Sequence, residues 1–112
     1  MTESTRTDRP SFYRTLADRH PAFMQAVDGL GVAVRQAGPL DEQTVHLVQL
    51  AAAAATRSEG AVHSHTRRAL ACGVTPEAIR HALIALTSTV GFPTVVAALS
   101  WAEDQLVKKD GG

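Results

Sequence analysis

Residues Val45 to Ala55 constrain this chain more than any other stretch. They read VHLVQLAAAAA and end in five consecutive alanines. Alanine has the highest helix propensity, and a run of it carries no turn signal. Val45, Leu47, Val48, Leu50 and the alanines make the helix apolar nearly all round. In a water-soluble chain such a helix is buried on more than one side. The run is too short to span a bilayer, which needs about 20 apolar residues. It is therefore expected to be the central helix of a helical domain. Asp41 supplies an N-cap, and Glu42 in the first turn complements the helix dipole.

The remaining segments suit packing around such a helix. Ser11 can cap a short helix through Arg19, with Phe12, Tyr13 and Leu16 as its apolar contacts. Pro21 opens the next helix, where Phe23, Val27, Leu30 and Val34 share one face. Gly29 and Gly31 weaken it or admit a close neighbour, and Gly38-Pro39 ends it. Gly73 fits a C-terminal cap, with Val74 folding back on the last turn. Thr75-Pro76-Glu77 starts a further helix with Ile79, Ala82, Leu83 and Leu86 as its core stripe. Its second face, His81, Ile84, Ala85 and Ser88, can meet another subunit. Pro93 opens the last helix, with Val95, Ala98, Leu99, Ala102 and Leu106 aligned and Lys108-Lys109 near the end. Aromatics are only 4% of the chain, which favours close helix packing over an aromatic-rich sheet. No segment alternates as a strand. The expectation is an all-α fold of about six helices: residues 1–10 as a flexible tail, 11–108 as one domain, and 109–112 as a flexible C-terminus. A chain of 112 residues leaves much surface in water, so oligomerisation is a natural supplement.

Several function classes lose support early. Eleven basic and eleven acidic residues give no net charge, hence no electrostatic footprint for nucleic acid or an anionic membrane. A single cysteine, Cys72, excludes an intrachain disulfide and a Cys-x-x-Cys pair; it reads as a small buried hydrophobe. No apolar leader or membrane span is evident, so a cytoplasmic location is expected.

The chemistry gathers where the apolar run stops. Arg57-Ser58-Glu59-Gly60 predicts a break, with Gly60 as the breaker. A new helix then carries His63 and His65. At about 100° per residue, Val62, His65, Thr66, Ala69 and Leu70 share a face, so His65 turns to the core. His63 lies about 160° away from it. His-x-His would chelate on a strand, but the flanking pattern is helical. His46, inside the apolar helix, is also expected to leave bulk water, and an antiparallel or kinked return would bring it to His65. Buried polar groups need such partners.

Leu40-Asp41-Glu42-Gln43-Thr44, then Ala61-Val62-His63-Ser64-His65-Thr66-Arg67-Arg68-Ala69-Leu70, then Gly73-Val74-Thr75-Pro76-Glu77-Ala78-Ile79 resemble the carboxymuconolactone decarboxylase and alkylhydroperoxidase D-like family. The resemblance spans roughly residues 40 to 105. It implies an all-helical trimer or hexamer with sites near subunit contacts. The peroxidase branch has a Glu on the central helix, then Cys-x-x-Cys, then a His four residues on. His65 matches that histidine, but Ser58 and Ala61 occupy the cysteine positions and His46 the Glu position. Thiol peroxidase chemistry needs two thiols and is not expected. The decarboxylase branch needs neither, and implies proton transfer on a small organic acid or lactone.

Three functions follow. The first is a lyase or isomerase needing no cofactor. His65 is its general acid/base, with His46 or Glu59 assisting and Arg67 or Arg68 holding a substrate carboxylate. The second is a zinc, iron or copper site built on His46 and His65, with His63, Glu42 or Glu59 completing it. The third is a family member that keeps the fold for binding or structure alone. The bland alternatives are a satisfied core histidine at His46, solvated arginines at 67 and 68, surface positions for His81 and His20, and a core or interface place for Trp101.

Overall fold

The computed structural model describes residues 11–111, with side chains from Phe12 to Val107. The expected tail at residues 1–10 lies outside that range. Among the described residues there are six helices of nine or more residues, one four-residue helical turn and no strand. The all-α expectation holds. The described residues form two compact units, one up to residue 39 and one from residue 40.

The first unit contains α1 (Ser11–Arg19) and α2 (Pro21–Arg35), which touch each other across the single residue His20. Pro21 stands at the first turn of α2, where its missing N–H costs nothing. Met24 is the buried side chain here. The expected apolar stripe of Phe23, Val27, Leu30 and Val34 is present but exposed. Among the described residues nothing lies within 4 Å of a Cβ built at Gly29, and the helix's own Arg35 side chain approaches Gly31.

The second unit holds the core. It contains α3 (Glu42–Ala55), α4 (Glu59–Ala71), α5 (Pro76–Ile84), the short α6 (Thr87–Val90) and α7 (Phe92–Gly111). The core joins Leu50, Ala53 and Ala54 of α3 to Val62 and Ala69 of α4, Ile79 and Leu83 of α5, and Ala98, Ala102 and Leu106 of α7. Val74 and the partly buried Trp101 pack with them. The alanines at these crossings let helix axes approach closely. Arg80 of α5 and Glu103 of α7 add a two-pronged ion pair, with N–O distances of 2.7 and 3.1 Å.

The helix ends follow local rules. The Asp41 carboxylate accepts from Thr44 N–H at 2.8 Å, and Thr75 Oγ1 accepts from Ala78 N–H at 3.1 Å. At the end of α4, Val74 N–H reaches Ala69 C=O and Gly73 N–H reaches Leu70 C=O. This double bond pattern needs a left-handed residue, and Gly73 supplies φ +97°. Gln43 Nε2 also donates to Cys72 C=O at 2.8 Å, tying the start of α3 to the end of α4.

One expectation is corrected. The break before α4 is not made by Gly60, which sits inside the first turn of α4 with open space around it. Arg57 makes it: at φ 56° it takes the left-handed position of the same capping pattern, with bonds from Arg57 N–H to Ala54 C=O and Ser58 N–H to Ala53 C=O. Central α3 buries His46, Leu50, Ala53 and Ala54 and leaves one stripe open, where Val48 is 55% exposed and Ala52 and Ala55 are exposed with it. The last helix runs to Gly111.

Candidate active site

The α3–α4 turn folds the chain back, so that the two helices pack along their lengths. This brings the two expected histidines together. The rings of His46 and His65 lie 6.3 Å apart between centroids and are tilted by 44°. His46 is buried and His65 half-buried. The Nδ1 atoms of both rings are shielded from water.

Two polar atoms join them in the interior. Gln49 Oε1, one turn along α3 from His46, and Thr66 Oγ1, beside His65 in sequence, are both buried without a hydrogen-bond partner among the described residues. Thr66 is wholly inaccessible. Leaving such groups unpaired costs about 1–3 kcal/mol each, so a polar group tolerated here marks a place where something polar can bind. Neither residue belongs to the expected site. The signal for Thr66 was its polar side chain within the apolar face of Val62 and Ala69; for Gln49 it was a polar side chain inside the apolar run.

On the outer side, Glu42 Oε2 stands 3.8 Å from His46 Nε2, within ion-pair distance when that ring is protonated. Glu42 is largely exposed, so the line Glu42–His46–His65 runs from the surface into the core.

His63 behaves as helical geometry requires. It faces away from His65, and its Nε2 meets Asp104 Oδ2 of α7 at 2.9 Å. It does not complete a ligand set with His46 and His65. Among the described residues, the group able to hold a metal ion is instead Glu59, His63 and Asp104, whose ligand atoms all lie within 4.8 Å of one another. Glu59 is the exposed first residue of α4 and shares the His63 side, one turn away. It is not gathered with the buried imidazole pair. Asp104 is 41 positions from His63, a pairing no local pattern announces. Arg68 lies one turn beyond His65 and is exposed; Arg67 lies one turn beyond His63 and is half-buried.

Ser58 and Ala61 serve the start of α4. Ser58 Oγ accepts from Ala61 N–H at 3.4 Å as the N-cap of α4. Cys72, at the far end of that helix, has its thiol pKa pushed up, first by burial and then by the nearby charges of Glu42 and Asp41. A raised thiol pKa means less thiolate, hence a poor nucleophile.

The sequence of residues 21–104 matches the model of the carboxymuconolactone decarboxylase family. The chain belongs to that family. No curated protein and no solved structure matches it. Family membership accounts for the helical fold around the site. The one cysteine of this member of the carboxymuconolactone decarboxylase family, Cys72, leaves it without a Cys-x-x-Cys pair. No described helix is long and apolar enough to cross a membrane.

Proposed function

We propose that this protein is an acid/base catalyst of the carboxymuconolactone decarboxylase type, acting on a small organic acid or lactone through His65. The observation that carries this reading is the buried His46–His65 pair, with ring centroids at 6.3 Å on packed helices. Imidazole titrates near neutrality, so it can give and take a proton under ordinary conditions. Loss of CO2 from a β-keto acid breaks a carbon–carbon bond and leaves the electron pair as an enolate. The carbon must then take a proton. Protonated His65 delivers it, and His46, with Glu42 beside its Nε2, returns a proton from solvent. Gln49 Oε1 and Thr66 Oγ1 offer polar contacts to the substrate. Arg68, one turn from His65, is the better placed of the two arginines to hold a carboxylate.

The test uses untagged protein and a panel of β-keto acids and lactones. Turnover is expected, and His65→Ala should lower kcat by about 10²–10⁴-fold, the usual size of an acid/base contribution, with the helical circular dichroism unchanged. Absence of turnover across the panel, or full activity in His65→Ala, would overturn the reading. Activity lost to a chelator and restored by zinc, in the unaltered protein and equally in Asp104→Asn, would move the chemistry to a metal on His46 and His65.

The same reading includes a homo-oligomer, a trimer or hexamer. Val48, Ala52 and Ala55 repeat at helical spacing on the outer side of α3 and are exposed in the single chain. Apolar faces of this kind are ordinarily covered by another subunit. Light scattering at micromolar concentration should give three or six times the chain mass; a monomer would count against it.

A further inference from the structure

We propose that Glu59, His63 and Asp104 form a divalent transition-metal site on the rim between α4 and α7, separate from the His46–His65 pair. One imidazole and two carboxylates are a ligand set suited to zinc, manganese or ferrous iron. Glu59 and His63 are four residues apart and share one side of α4. Asp104 comes from the helix packed against it.

The spacing fits a metal. Two neighbouring ligands about 2.1 Å from an octahedral ion stand about 3.0 Å apart, and about 3.4 Å apart on a tetrahedron. His63 Nε2 and Asp104 Oδ2 are 2.9 Å apart, and all three ligand atoms lie within 4.8 Å of one another. The exposed Glu59 side chain can swing to close the remaining gap. The charges fit as well. Among the described side chains, neither Glu59 nor Asp104 pairs with a lysine or arginine; the imidazole is the one group that meets Asp104. Two carboxylates held this close repel each other, and a dication removes that repulsion. Both elements are regular helices, so the ligands are held by rigid backbone rather than loops. Water would complete the coordination on the solvent side.

The site does not depend on the acid/base reading, and the test separates them. Chelator-stripped, untagged full-length protein is titrated with Zn²⁺ by isothermal calorimetry. One Zn²⁺ per chain is expected, with a metal-dependent rise in melting temperature. Asp104→Asn and Glu59→Gln should each weaken binding by about tenfold or more, as loss of metal-site support does. Asp104→Asn keeps an acceptor for His63, and exposed Glu59 makes no bond that folding needs, so both variants should fold. His46→Ala should bind Zn²⁺ like the unaltered protein. Absence of saturable binding, binding indifferent to both carboxylate changes, or binding lost in His46→Ala would each overturn the proposal.

Discussion

His65 and His63 stand two residues apart on α4, yet His65 meets another imidazole in the interior while His63 meets a carboxylate at the rim. Each turn of the helix carries the same two environments. Inside are Val62, Thr66 and Ala69, all buried; outside are Glu59 and the Asp104 contact from α7. The difference shows how burial sets what a polar group means. At the rim, water already solvates charge, and an ion pair there is worth about 1 kcal/mol or less. In the interior an unpaired hydroxyl or amide is costly. Gln49 Oε1 and Thr66 Oγ1, unpaired among the described residues, therefore burden the fold more than the richer set of charges outside.

Activity gives the largest contrast between the two sides. Against the loss proposed for His65→Ala, His63→Ala should leave turnover of the same substrate within about twofold, since a change away from the reacting groups removes little transition-state binding. Equal losses in steady-state kinetics would erase the inner and outer assignment. Stability should divide the sides next. Ala69→Leu places three extra carbons in a fully buried position, and overpacking of that kind costs about 1–3 kcal/mol. Glu59→Ala on the exposed side should stay within about 0.5 kcal/mol of the unaltered protein. Urea unfolding measures both, and similar midpoints would contradict the burial pattern.

A smaller effect probes the interior alone. Thr66→Val keeps shape and removes a hydroxyl that has no hydrogen-bond partner among the described residues. It should stabilise the protein by about 1 kcal/mol. If catalysis falls in the same variant, the hydroxyl serves the substrate at the expense of the fold. A loss of stability would show instead that the hydroxyl is satisfied in solution.

Much of this division was legible before any coordinates. Asp41, Gly73 and Thr75-Pro76 announce their helix ends because caps are local chemistry. Helical periodicity alone sends His63 and His65 apart, and it places Thr66 beside Val62 and Ala69. Arg57 escaped because left-handed backbone is ordinarily glycine's, and Gly60 nearby was the more obvious breaker. The exposed side of α3 escaped because composition reports how apolar a helix is and not how many neighbours one chain provides. Asp104 escaped because its meeting with His63 depends on how α4 and α7 pack, which no spacing along the sequence encodes.

The start of α3 offers the finest test, because it can loosen one side of the comparison and spare the other. The hydrogen bonds from Thr44 hold the Asp41 carboxyl below the usual aspartate range. A group whose pKa is lower in the folded state adds stability above its unfolded pKa and loses that contribution as pH falls through its folded value. Asp41→Asn keeps an oxygen for Thr44 N–H but carries no charge. Its melting temperature should therefore lie slightly below that of the unaltered protein at neutral pH, and the gap should close on acidification. A gap that stays constant into acid would show that the cap works through geometry and not charge. Glu42 follows this cap directly and lies 3.8 Å from His46 Nε2, so fraying here disturbs the buried imidazole pair first. Turnover should fall modestly in Asp41→Asn while Zn²⁺ binding by Glu59, His63 and Asp104 stays unchanged, because those ligands belong to α4 and α7.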